Sequence, residues 1–259
     1  APDHHGNGTP ELVATLHHEQ ISDSKYHFKY IVDGVGANVT IPIVDLLALG
    51  FPSSPNNPRG WDECLNEAKA FFMEVLGKTD KEIILNIVGH SRGGILTMWL
   101  AHELKDIEQI SSINIVAYDP VPGDKKVPKV IYSLSDKVKH YVGIYAQNER
   151  STVFEPVIPS STDSTIVWNF SVPGAHSTLT GNYQEDGHSI DFHYFHMVNP
   201  PEEIYNEDLK SISWITKVVT IELLSSENWG YSMFSWNWTK NSIEQTKQLF
   251  ISTYDSMYN

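Results

Sequence analysis

The residues best suited to chemistry are those of the sequence Gly-His-Ser-Arg-Gly at positions 89–93. An apolar, β-rich run over 83–88 precedes this motif, and an apolar helical pattern over 94–104 follows it. Gly-x-Ser-x-Gly between a strand and a helix is typical of the nucleophile elbow, a tight turn that strains a serine and exposes its oxygen. We therefore expect Ser91 to be a nucleophile and a side chain at either glycine of the motif to collide with the neighbouring strand and helix. The alternative is a surface turn with a chance serine.

A serine nucleophile needs an acid and a base, and later strands supply candidates. The pattern over 113–118 predicts a strand that ends at Asp119, before a Pro-rich turn. Ligands of open α/β sheets lie outside the carboxyl ends of the strands, so Asp119 could orient a catalytic histidine. The alternative is an aspartate that caps a turn. A further strand over 139–146 is followed by Glu149, which is the rival acid.

The candidate base is His176, on a loop that follows a predicted strand over 165–172. It completes the chain order serine, acid, histidine that α/β-hydrolases have. A group of later residues, His188, Asp191, His193 and His196, could suggest a metal site, but a polar aromatic loop is the better interpretation without a second anchored cluster. The sequence therefore predicts no metal and no organic cofactor.

The oxyanion of an acyl-transfer reaction needs two N–H donors. The residue after the nucleophile, Arg92, is expected to supply one. A predicted strand over 26–33 is broken by Gly34-Val35-Gly36, and a Gly-rich loop after an early strand supplies the second donor in α/β-hydrolases. Gly34 and Val35 are therefore the candidates, with an ordinary turn as the alternative.

The remaining patterns predict helices over 11–22, 61–76, 207–227 and 243–254. Gly77 is the expected C-cap of the second helix, and Cys64 on that helix is expected to be a small buried residue. Together the patterns predict an α/β-hydrolase-like fold, a mostly parallel sheet flanked by helices, as one domain over 1–259. Residues 184–259 would form a loop-rich cap and closing helices, whose aromatic tail is expected to pack the cap or to form an apolar surface for lipid.

Composition limits the classes of partner. The net charge of −14 argues against nucleic acid, since no segment clusters the Lys and Arg that phosphates require. A hydrophobic content of 41% with 19% charged residues fits a soluble globular protein, and peripheral membrane contact would be apolar. Because the chain begins Ala1-Pro2, we expect a processed or trimmed form.

Four segments, in order, resemble the signatures of bacterial phospholipase effectors of the first lipase class delivered by type VI secretion, and of related uncharacterised α/β-hydrolase domains. They are YIVDGVGAN (30–38), IVGHSRGGI (87–95), YDPVPG (118–123) and VPGAHSTLTGNY (172–183), and a fifth, AQNERSTVFEPV (146–157), is similar to a family segment with an acidic-Arg pair. The chain departs from the family at His90, where the family has phenylalanine. It departs again after Ser177, where the family has aspartate and a glycine run.

The resemblance implies a serine ester hydrolase that cleaves acyl esters of lipids, with Ser91, His176 and Asp119 as its triad. It also implies a secreted or translocated bacterial effector, whose immunity or host partner the sequence does not identify. Two alternatives remain open: a thioesterase, esterase or peptidase of the same fold, and a catalytically silent hydrolase fold that acts as a binding module. We expect the reaction class to be better defined than the substrate, because the loop after His176 matches the family less well.

Overall fold

The computed structural model describes residues 12–21, 27–35, 60–122, 127–146, 155–172, 176, 178–180 and 233–234. The chain divides into two compact units. One consists of residues 30–143 and 155–168, and the other of residues 1–29, 144–154 and 169–259. The prediction of a single domain over 1–259 stays a prediction.

The described elements follow the order α1, β1, α2, β2, α3, β3, a 3₁₀ helix, β4, β5, a second 3₁₀ helix and β6. Their bounds are Leu12–Glu19, Gln20–Ile21, Trp61–Leu76, Ile83–His90, Arg92–Leu104, Ile110–Tyr118, Lys129–Tyr132, Val138–Ala146, Ile166–Val172, Thr178–Thr180 and Met233–Phe234. Strands β2 to β5 form a four-stranded parallel sheet in sequential order, with helices flanking it. This confirms the predicted α/β class.

The packing of the unit formed by residues 30–143 and 155–168 follows from the patterns of β3 and α3. Strand β3 is buried along most of its length, and α3 packs against both β2 and β3. One face of β3 joins the core of the helices through Ile113, Ile115 and Ala117. A strand buried in this way reads as a continuous apolar run, which is why the sequence predicted it.

Helix α2 packs against α3. Acidic Asp62 and Glu63 lie in its first turn, where the helix dipole favours negative charge. Its end is closed by the N–H of Gly77, which donates to the Met73 carbonyl at 3.1 Å, as expected of a C-cap. Cys64 is 1% exposed, so its prediction as a small buried residue is confirmed.

A buried polar row crosses the sheet. The Asn114 amide on β3 donates to Asn86 Oδ1 on β2 at 2.8 Å, and its own Oδ1 lies 2.8 Å from His140 Nδ1 on β4. Trp168 on β5 continues the row, with its ring 6.4 Å from that of His140. Burial lowers the pKa of His140, because a charged imidazole would lose its hydration there.

In the other unit, α1 occupies most of the predicted helix over 11–22 and leads directly into β1. Strand β1 pairs antiparallel with β6, with Gln20 opposite Phe234 and Ile21 opposite Met233. The Lys29 ammonium donates to the His17 carbonyl at 2.7 Å. The predicted helices over 207–227 and 243–254, and the aromatic tail apart from β6, lie outside the described residues.

The predicted strand over 26–33 is wrong for the residues that the structure describes. Residues 28–35 form no strand, although their alternation of aromatic and polar side chains is typical of one. A strand needs a ladder of backbone hydrogen bonds, and the carbonyl of Asp33 instead accepts from the Cys64 thiol at 3.4 Å. The segment lies along α2 through contacts that its own sequence does not reveal.

None of the helices that the structure describes combines the length and the apolar character needed to span a bilayer.

Candidate active site

Ser91 stands at the junction of β2 and α3 in a strained backbone conformation. Its φ is 55° and its ψ is −125°, a region that side-chain-bearing residues rarely adopt. Such strain costs on the order of 1–3 kcal/mol and persists only where the surroundings impose it. The predicted helix start at Gly94 is two residues late, because α3 begins at Arg92, immediately after the strained serine. A strand, a strained serine and a helix are the elements that the elbow motif predicts.

Three backbone hydrogen bonds hold Ser91 in this conformation. Its N–H donates to the Tyr118 carbonyl at 2.9 Å, and its carbonyl accepts from the N–H groups of Val121 at 3.2 Å and Ile95 at 3.3 Å. The serine is thus fastened to the end of β3, to the turn beyond it and to the first turn of α3. Its hydroxyl makes no capping bond to the helix.

The elbow requires glycine at two positions, only one of which belongs to the pair in the motif. A Cβ at Gly89 would lie 2.3 Å from the Gly93 carbonyl oxygen, so the strand and helix meet there as expected. At Gly93 the expectation is wrong, because a Cβ would meet nothing within 4 Å. The second tight contact is at Gly94, where a Cβ would lie 2.9 Å from Pro120 Cβ. In the sequence, Gly94 is marked only as the second glycine of Gly93-Gly94, and it lies beyond the five-residue motif.

Asp119 follows β3 as Ser91 follows β2. Strands β2 and β3 pair in parallel with His90 opposite Tyr118, so the next residue of each leaves the sheet at the same edge. Asp119 also has a positive φ, 41°, and among the described residues only these two non-glycine residues do. It is fully buried, at 0% exposure. A solvated turn-capping aspartate does not fit this burial, whereas an acid that serves a neighbouring group does.

The turn after Asp119 is itself fastened. The Pro120 carbonyl accepts the N–H of Val157 at 2.8 Å, and Val121 is 1% exposed. Together with the Val121 bond to Ser91, these contacts couple the acid-bearing turn to the elbow. Neither Val121 nor Val157 can be recognised from the sequence, because both act through their backbone N–H groups, which every residue type except proline has.

The candidate oxyanion donors lie in two different parts of the fold, Arg92 in a helix and Gly34 and Val35 in a loop. Arg92 is the first residue of α3, and the first N–H groups of a helix have no partner within it and lie at the positive end of its dipole. Gly34 is exposed, with open space where a Cβ would be, and Val35 is 6% exposed within the same core cluster as Ile95 of α3. These residues and Ser91 belong to the same compact unit. Gly36 lies outside the described residues.

His176 lies in the other unit, shortly after β5. It is 9% exposed, and two residues of the 3₁₀ helix that follows it are also buried, Leu179 at 0% and Thr180 at 2%. Burial of an imidazole on a connecting loop is uncommon enough to mark it as more than a surface residue. Glu149, the rival acid, lies outside the described residues.

Within the ranges that the structure describes, no three His, Cys, Asp or Glu side chains are grouped so that they could hold a metal ion. The four residues of the metal alternative, His188, Asp191, His193 and His196, fall outside those ranges.

No protein-family model matches the chain, and no curated protein matches it. The likeness to type VI secretion phospholipases therefore stays a prediction from the sequence segments, and the support for a function is the geometry around Ser91.

Proposed function

We propose that the protein is a serine ester hydrolase of the α/β-hydrolase fold that cleaves acyl esters of lipids. The observation that carries the proposal is the backbone of Ser91, with φ 55° and ψ −125° between the parallel strand β2 and helix α3. Three backbone hydrogen bonds maintain a conformation that costs free energy. Strain maintained in this way is characteristic of functional sites, and in a nucleophile elbow it presents the serine hydroxyl above the sheet.

The proposed reaction has two stages. Ser91 Oγ forms a bond to the acyl carbon while its proton passes to His176, and a tetrahedral oxyanion results. The oxyanion collapses, the ester C–O bond breaks and His176 gives the proton to the leaving alcohol. Water then attacks the acyl-enzyme with His176 as base, which releases the carboxylic acid and restores Ser91.

Asp119 is the proposed acid. Its role is to hold one tautomer of His176 and to stabilise the imidazolium that forms after proton transfer. Its complete burial and its position at the same sheet edge as Ser91 support this assignment. A buried carboxylate keeps its charge only with a partner, and a cationic imidazole is one such partner.

The N–H of Arg92 and one N–H from Gly34 or Val35 are the proposed oxyanion donors. Such donors act on charge that develops in the transition state, and the loss of one typically costs about 10²–10³ in kcat. The placement of Arg92 at the start of α3 supports the first, since helix N-termini stabilise negative charge. The lipid substrate rests on the resemblance of the sequence segments.

The test is Ser91→Ala in an assay of acyl esters of graded chain length and of phospholipid vesicles. We expect the loss of a triad member to lower kcat by about 10⁴–10⁶. A fluorophosphonate probe should label the native protein at Ser91 and fail to label the variant. A variant that keeps most of its ester-cleaving rate would refute the nucleophile. Labelling at Ser91 with cleavage of short esters or thioesters alone would retain the serine chemistry and overturn the lipid substrate.

A further inference from the structure

Residues 30–35, which carry Gly34 and are called here the Gly34 segment, lie along one face of α2. At the N-terminal end of the segment, the ring of Tyr30 stacks on Phe71 with centroids 4.5 Å apart and planes inclined by 13°. The Tyr30 hydroxyl donates to Glu67 Oε1 at 2.7 Å. Tyr30 is thus held to the helix both through its ring and through its hydroxyl.

Further along the segment, the contact with α2 is partly buried. The Cys64 thiol donates to the Asp33 carbonyl at 3.4 Å, and Cys64 is 1% exposed. Val35, two residues on, lies in the core cluster that also contains Trp61 and Cys64. The side chain of Cys64 on α2 thus provides the Asp33 carbonyl with a hydrogen-bond donor.

The spacing of these contacts is set by the geometry of the two elements. Cys64, Glu67 and Phe71 recur at i, i+3 and i+7, which places them on one face of a helix. The rise from residue 64 to residue 71 is about 10.5 Å at 1.5 Å per residue. Three extended residues, from Tyr30 to Asp33, span about 10 Å. The segment therefore runs antiparallel to α2, with Tyr30 at Phe71 and Asp33 at Cys64. Because the two spacings match, sliding the segment along the helix would break both contacts together.

Gly34 lies between these fixed points, exposed and with no heavy atom near the position of a Cβ. The contact with Cys64 holds Asp33 on one side of it and the core cluster contains Val35 on the other, while a Cβ on Gly34 would meet open space. This is what an oxyanion donor requires, because its N–H must be immobile and still reachable by a substrate.

We infer that α2 is the positioning element for the second oxyanion donor, with Tyr30, Glu67 and Cys64 as its positioning residues. The inference rests on the proposed function. Oxyanion donors must stand 2.7–3.1 Å from the developing charge, about one hydrogen-bond length. A misplacement of about 1 Å, even one caused far from the reacting atoms, can cost up to about 10² in rate.

The test uses changes at the exposed end of these contacts, where folding is least at risk. Glu67→Ala removes the acceptor of the Tyr30 hydroxyl, and Tyr30→Phe removes the donor while keeping the ring stack. We expect each to lower kcat about three- to tenfold with KM unchanged, since positioning acts on the transition state and not on substrate binding. Glu67→Gln keeps an oxygen acceptor and should restore most of the rate.

The matched control is Lys69→Ala. It lies on the same helix and removes the exposed ion pair from Lys69 Nζ to Glu103 Oε2, 2.6 Å long, between α2 and α3. We expect its kcat to equal that of the native protein. Amide hydrogen exchange at Gly34 and Val35 should be faster in Glu67→Ala than in Lys69→Ala, because only the former releases the Gly34 segment.

Two failures can be told apart. If the native protein cleaves esters through Ser91 but Glu67→Ala matches Lys69→Ala in kcat and in exchange, the positioning role of α2 is refuted and the proposed function stands. If the native protein neither reacts with the fluorophosphonate probe nor cleaves any ester, the proposed function and this inference fall together.

Discussion

Gly89→Ala is the sharpest structural test of the elbow, because it adds one methyl group where strand and helix touch. The new Cβ would lie 2.3 Å from the Gly93 carbonyl oxygen, 2.5 Å from the Gly93 carbonyl carbon and 2.8 Å from the Gly94 nitrogen. All three are backbone atoms at the start of α3, so the clash cannot be relieved by rotating a side chain. The first turn of α3 must move away from β2.

The expected loss of stability follows from the rigidity of these backbone atoms. Overpacking of a well-packed core costs about 1–3 kcal/mol when side chains can adjust, so we expect at least about 3 kcal/mol here. At about 2–4 °C per kcal/mol, the Tm should fall by about 6–12 °C. Because Ser91 is held by the same turn, labelling by the fluorophosphonate probe should also be lost.

Gly93→Ala provides the control two residues into α3. Its Cβ meets nothing within 4 Å, and alanine is favoured over glycine inside a helix by about 1 kcal/mol. Its Tm should equal that of the native protein or rise by about 2–4 °C. Thermal unfolding followed by circular dichroism measures both variants. A Gly89→Ala protein that melts within about 1 °C of the native one, or a Gly93→Ala protein that melts lower than Gly89→Ala, would contradict the described geometry.

Two further predictions concern the acid and the buried histidine. Asp119→Asn should lower kcat by about 10⁴ and Glu149→Gln should leave it nearly unchanged, whereas a larger loss in the second would make Glu149 the acid. Burial lowers the pKa of His140 in the folded state below its ordinary value. The contribution of His140 to the free energy of unfolding is therefore complete above the unfolded-state pKa and is lost as the pH falls below that pKa. Between about pH 7.5 and about pH 5.5, urea unfolding should show a smaller loss of stability in His140→Gln than in the native protein. His102→Gln is the control, and its loss of stability over this pH range should equal that of the native protein. Equal losses in His140→Gln and His102→Gln would rule out His140 as the cause.

The sequence predicted the main elements of the unit formed by residues 30–143 and 155–168 because their patterns are local. The apolar run before the motif, the helical spacing over 61–76 and the run that leads to Asp119 correspond to β2, α2 and β3. Each pattern indicates the type of its element by itself, so no knowledge of the packing partner was needed. The strand over 26–33 was predicted in the same way and is wrong over 28–33, where contacts with α2 take the place of a ladder.

For the candidate site, the residue types at positions 91, 92 and 119 were readable from the sequence because a motif or a strand end marked them. The close approach at Gly94 and the bond from Val121 to Ser91 were not, since both involve contacts between segments that are distant along the chain. The error at Gly93 has the same origin: a motif names the residue types, but which glycine is crowded depends on how the helix approaches the strand.

By itself, the sequence determined that a serine would stand between a strand and a helix, and that an aspartate would end the next strand. Both are consequences of short-range patterns and of the φ/ψ freedom that glycine provides. Only the tertiary structure decided that these two residues leave neighbouring parallel strands at the same edge, that both adopt positive φ, and that α2 holds the Gly34 segment. Register, strain and cross-element contacts depend on where backbones pack against each other, and no local pattern of residue types encodes that position.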